Sequence, residues 1–174
     1  MKYFTPELYA QFNSSDPAKA SLADQRWDAA EVRYEKRLKQ IRRKLPEKVR
    51  VLSDTICLHD ASYLGFTKSP LPPWRWELAI IQLQQAEKLY CLVYILPEEP
   101  VITKPVESPV FADEQPRWLY DEVDLLEKGT YSHQILISNG YVLKLVFQQF
   151  DFFEIDTASP RNGKKSRRTL VTQT

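Results

Sequence analysis

Glycine is scarce in this chain, four residues in 174, too few for the glycine-rich loops that cradle phosphates in dinucleotide or P-loop sites. No G-x-G-x-x-G, Walker A or G-x-S-x-G pattern occurs, and neither H-E-x-x-H nor C-x-x-C is present. Those omissions exclude the nucleotide, α/β-hydrolase and zinc-peptidase frameworks that depend on them. Cysteine is nearly as rare. Cys57 and Cys91 form no disulfide framework, and both fall in apolar, strand-like segments, so they read as buried thiols in a reducing compartment. Long apolar runs are missing too. The longest, "YCLVYIL" at 90–96, is far short of the roughly 20 residues that span a bilayer. The opening "MKYFTPELYAQF" has no basic region followed by an apolar core, as a secretory signal would. A cytoplasmic protein with no membrane partner is the expectation.

Charge is plentiful, and it is unevenly placed. The formal net charge is +1, yet residues 26–50 hold ten bases against four acids, and residues 51–156 hold sixteen acids against seven bases. Residues 157–174 hold five bases and no acid. A basic helix and a basic tail therefore flank an acidic body.

Two proline-led starts open the chain. Thr5-Pro6 and Asp16-Pro17 each place a capping side chain before a proline at the first helical position. From the second start, Ala20, Ala23, Trp27, Ala30, Tyr34, Leu38, Ile41 and Leu45 step by three or four residues. That is one apolar stripe on a long helix, and Pro46 ends it or opens a short further helix. Beyond residue 55 the period becomes two. Strands are expected at 56–66, 75–83, 88–96, 117–126, 131–138 and 141–150. "SNGY" at 138–141 reads as a two-residue type I′ hairpin at Asn139-Gly140, and "QAEK" at 85–88 as a looser one. Connections this short require antiparallel pairing. The expected fold is α+β: N-terminal helices, one long and amphipathic, packed on a mostly antiparallel sheet of about six strands. It would form a single domain over 1–156, followed by a disordered tail at 157–174.

Splitting the strands by face isolates three polar interruptions. Asp60 interrupts the row Ile56, Leu58, Ser62, Leu64; Asp121 interrupts Leu119, Val123, Leu125; His133 interrupts Tyr131, Ile135, Ile137. A buried carboxylate or imidazole requires a partner, so these three are expected to meet, with Glu122 and His59 at the rim. As a core network, an aspartate would accept a hydrogen bond from His133. As a site, two carboxylates and an imidazole would hold a divalent metal such as Mn²⁺, Mg²⁺ or Fe²⁺. His59 and Asp60 are adjacent on an expected strand, so they point to opposite faces, and Cys57 and His59 are spaced loosely for a thiolate–imidazole pair.

Two surface features complete the candidates. The stretch "RYEKRLKQIRRK", with Arg42 and Arg43, could track phosphates together with the tail, or form a solvated helix face. "PLPPWRW" places Trp74, Arg75 and Trp76 together, which is interface hot-spot material. The segments "YFTPELY", "WDAAEVRYEKRLKQI", "LP", "LHDA" and "LYDE" resemble an uncharacterised bacterial family of conserved hypothetical proteins over residues 3–150. That resemblance implies a bacterial cytosolic setting and transfers no activity or site residue. The leading expectation is a non-catalytic protein-interaction module, of adaptor or toxin-antidote type, whose acidic sheet suits a basic protein partner. The alternatives are a metal-dependent hydrolase at Asp60, Asp121 and His133, and nucleic-acid binding through the basic helix and tail.

Overall fold

The two proline-led starts become helices α1 (Pro6–Phe12) and α2 (Pro17–Ile41). The Thr5 hydroxyl accepts the Leu8 N–H at 3.2 Å, and Asp16 Oδ1 accepts the Ala18 N–H at 3.0 Å. Each cap satisfies an amide that the helix leaves without a partner. A short 3₁₀ turn, Arg42–Lys44, follows α2. Pro46, which cannot continue a helix, then stands at the N-terminus of α3 (Glu47–Thr55). The structure, a computed structural model, describes residues 1–71 and 76–157, the side chain of Trp76 excepted. Trp74, Arg75 and the tail from residue 158 thus lie outside the described residues. Among the described residues no helix is long and apolar enough to cross a membrane.

Among the described residues eight antiparallel strands form two four-stranded sheets. They are β1 (Ser62–Leu71), β2 (Trp76–Gln85), β3 (Lys88–Leu96), β4 (Val101–Thr103), β5 (Trp118–Glu127), β6 (Thr130–Ile137), β7 (Val142–Phe147) and β8 (Gln149–Asp156). The first sheet runs β1-β2-β3-β8 and the second β4-β7-β6-β5. Their inner faces meet in one core, where Ile81, Leu92, Tyr94 and Leu96 pack with Ile135, Leu143, Leu145 and Phe147. Ile41, Leu45, Val49 and Leu52 join it from the helices. The other face of the second sheet is also covered, because Trp27 and Ala30 of the α2 stripe pack with Phe4 and Tyr120.

The α+β class, the long helix and the antiparallel pairing stand, while the strand boundaries depart from expectation for local reasons. The expected strand 141–150 breaks at Gln148, whose N–H donates to Ile95 O at 3.0 Å as the chain crosses between sheets. Residues 56–61 are not a strand. Asp60 has φ +64°, and the Ala61 N–H bonds back to Leu58 O at 2.9 Å, a turn that delays β1 to Ser62. The 138–140 turn also differs. Only Gly140 has positive φ (+86°), the Gly140 N–H donates to Ile137 O, and the Ile137 N–H donates to Tyr141 O, both at 2.9 Å. That is a three-residue loop with glycine in the left-handed position, not a two-residue type I′ turn. The thiols are less buried than expected, Cys57 being exposed and Cys91 half-buried.

Candidate functional site

Asp121 and His133 do meet. Asp121 pairs with Ile135 across β5 and β6 while His133 pairs with Val123, so the two are diagonal neighbours on one face. His133 Nε2 lies 2.9 Å from Asp121 Oδ2, and His133 Nδ1 lies 2.9 Å from the Tyr94 hydroxyl. Trp118 Nε1 donates to the other carboxylate oxygen at 3.0 Å. The indole reaches it because β5 carries a bulge between Trp118 and Tyr120. The extra residue, Leu119, turns outward and packs with Phe111 and Leu136, leaving Trp118 on the face of Asp121. Strict period-two alternation puts Leu119 there instead.

The protonation states follow from the partners. Burial, reinforced by the Asp121 charge, pushes the Tyr94 phenol well above its ordinary range. The phenol keeps its proton, and because a carboxylate only accepts, we assign Nε2–H as the donor to Asp121; in that tautomer Nδ1 accepts from the Tyr94 hydroxyl. His133 is fully buried, with both ring nitrogens in use.

Asp60 is not part of this network. Its carboxylate faces His59 Nδ1 at 3.1 Å and Arg117 at 3.4 Å, held aside by the same 58–61 turn that displaces the expected strand. Among the described residues no three histidine, cysteine or acidic side chains cluster as a metal site requires. The Asp60, Asp121 and His133 trio is thus not assembled. Glu122 is not at a rim either. It is buried, and its carboxylate accepts the backbone N–H groups of Lys2, Tyr3 and Phe4 at 2.8, 2.7 and 2.7 Å. Sequence reasoning missed Tyr94, Trp118 and this clamp. An outward glutamate on a strand carries no local mark of being covered by a segment about 120 residues away.

Asp121 opens onto a cleft of about 510 Å³ between the end of α3, the 56–59 loop and the start of β5, lined also by Ser53, Cys57, His59 and Tyr120. His59 meets the edge of the Tyr120 ring at 4.9 Å. Among the described residues there is no hydrogen bond between Cys57 and His59, so a nucleophile–base pair is not formed. What the arrangement does is orient one carboxylate from behind and leave its free lone pairs to the cleft. Of the basic candidates, Arg42 is paired with Asp54 at 2.6 Å, whereas Arg43 is exposed. No family model, curated protein or solved structure matches the chain.

Proposed function

We propose that this protein is a non-catalytic interaction module that docks a partner protein on the outer face of its first sheet. The observation carrying this reading is the composition of that face. Antiparallel register places Leu78 beside Ile95, Ile80 beside Val93, Cys91 beside Phe153 and Leu89 beside Ile155. Leu78, Ile80, Leu89, Val93 and Ile95 join none of the three core clusters, and Phe153 and Ile155 are each at least half exposed. An antiparallel sheet with one solvated face normally alternates apolar inward with polar outward. Here the outer face carries an apolar centre along β3, extended by Leu78 and Ile80 of β2 and Phe153 and Ile155 of β8, and helices α1 and α2 cover the other sheet.

Charge supports the same reading. In the rows formed by Gly65, Gln82, Cys91 and Phe153, and by Thr67, Ile80, Val93 and Asp151, the single ionised group is Asp151, which pairs with Lys48. Depletion of charge is the compositional mark of an interface centre. Four strands spaced ~4.8 Å apart and about eight residues long make a face of roughly 500 Å², and its apolar centre on β3 and its neighbours covers about half of it, a contiguous patch of a few hundred Å². The acids of the body are largely paired elsewhere, as Glu154 is with Lys88 and Asp113 with Arg117. The partner surface is therefore apolar and uncharged, rather than basic.

A photo-crosslinking residue in place of Phe153, compared with one in place of the exposed Val32 on α2, tests this in the native cell. Discrete adducts from position 153 that vanish with Val93→Glu, or with the milder Ile80→Gln, support docking, and their masses tell a second copy from another chain. The same adducts from both positions, or adducts that persist in both variants, overturn it.

A further inference from the structure

The first residues of the chain cross the C-terminal half of α2, and a groove of about 400 Å³ lies between them, lined by Lys2, Tyr3, Arg33, Lys36, Arg37 and Gln40. Positions 33, 36, 37 and 40 share one helix face. Lys2 is held on the groove wall because its backbone N–H is bound to Glu122, and its ammonium lies 5.3 Å from the Tyr3 ring centre.

Three of the four cations in this groove, Lys2, Arg33 and Lys36, are left uncompensated among the described residues, and the fourth, Arg37, is paired with Asp124. Lys19, Lys39 and Arg42 each pair with a carboxylate. Among the described residues Lys2, Arg33 and Lys36 have none within ion-pair distance. The two nearby acids are already engaged. Glu122 is filled by three backbone N–H groups, and Asp124 is held by Arg37 at 2.6 Å. Like charges one turn apart on a helix destabilise it, a cost that an anionic ligand reverses.

From this geometry we infer that the groove binds the phosphate backbone of a single-stranded nucleic acid. The cationic line continues from Arg33 through Lys36 and Arg37 to the exposed Arg43, ten residues along, or ~15 Å at 1.5 Å per residue. That length spans several phosphates rather than one. The groove is open along the helix instead of closed around a head group, and its single cationic line beside an acidic body suits one strand rather than a duplex. This inference uses different residues from the docking face and stands independently of it.

The test is fluorescence anisotropy of the full chain with a labelled ~12-nucleotide oligothymidylate, followed from about 50 to 200 mM salt. Three to four phosphate contacts give a slope of log K against log salt of about −2 to −3. Arg33→Gln with Lys36→Gln removes about 1.4 from that slope, whereas Lys39→Gln, which loses only its pairing with Glu35, leaves it nearly unchanged. No binding at the lowest salt, or a slope unaltered by the double substitution, overturns the inference.

Discussion

His133 and Asp121 form a 2.9 Å contact diagonally across β5 and β6, and the histidine is the fully buried member. The aspartate keeps 29% of its side-chain surface and faces the cleft. A carboxylate reached by solvent can take up a hydrogen bond from water if its partner is lost. A sealed imidazole between two side chains cannot, so the energetic weight of the network lies on the inner contact, between His133 and Tyr94.

Tyr94→Phe is expected to leave Nδ1 without a donor and to lower stability by about 1–2 kcal/mol, read from the urea midpoint. Asp121→Asn acts differently. The amide has one acceptor oxygen for two donors, Trp118 and His133, and the pair is satisfied only if His133 accepts from the amide N–H₂ and moves its own proton to Nδ1. Long-range ¹H–¹⁵N spectra of the imidazole are expected to report the Nε2–H form in the native protein and the Nδ1–H form in the variant. An unchanged tautomer would disprove this account of the network.

The turns offer a pair of opposite outcomes. Ala86 links β2 to β3 with φ +52°, a left-handed conformation that costs a residue bearing Cβ about 1–2 kcal/mol. Ala86→Gly removes that strain and adds unfolded-state entropy worth about 0.4–1 kcal/mol. A net gain of about 0.5–1 kcal/mol, or ~1–4 °C in Tm, is expected. Gly140→Ala is the reverse case. Its φ is +86°, and an added Cβ would meet Phe111 Cβ at 3.0 Å, so a loss of about 2 kcal/mol or more is expected in the same thermal melt.

Those two turns also mark what the chain discloses locally and what it withholds. The caps at Thr5 and Asp16, the stripe from Ala23 to Ile41 and the period-two runs depend on neighbours a few residues away, and they are legible. So is the Asp121–His133 contact, which follows from two adjacent strands and their faces. The division into two sheets is not legible, because periodicity reports the face of a strand and is silent on which strand lies beside it. The crossing at Gln148, the three-residue strand β4 in a proline-rich stretch and the turn that removes Asp60 from the face of Asp121 depend on partners far along the chain. The apolar outer face of the first sheet needed the register of four strands.

Acid is expected to loosen the junction of β1 and β5. Hydrogen bonds from Arg117 and then Ser138 hold the Asp113 carboxyl below its ordinary value of 3.8. A carboxyl lower in the folded state binds fewer protons there than when unfolded, so its contribution is present above the unfolded value and is lost as pH falls through the folded one. The difference in urea midpoint between the native protein and Asp113→Asn is expected to be constant near pH 6 and to shrink towards about pH 3. A difference independent of pH would assign Asp113 a purely steric role. Asp113 is half-buried and keeps 24% of its side-chain surface in contact with solvent, and screening keeps the effect small.

Glu122 presents the sharper case, because its charge is covered rather than screened. Three backbone N–H groups converge on it, and each bond to an ionised acceptor is stronger than a neutral one. Glu122→Gln retains the shape but offers one acceptor oxygen and turns an N–H₂ group towards those donors. A loss of about 2–3 kcal/mol is expected. The loss also has a location. Tyr3 and Phe4 pack on Tyr34 and Trp27, so release of residues 2–4 frees one side of the Trp27 indole. Amide exchange in the first four residues and in the neighbouring turn of α2 is expected to accelerate before global unfolding, with the β6–β7 core unchanged. Because the same clamp holds Lys2 at the groove, Glu122→Gln is also expected to weaken oligothymidylate binding at low salt without removing any groove cation. Uniform exchange across the chain, with binding intact, would show that Glu122 serves the core and not the placement of the N-terminal segment.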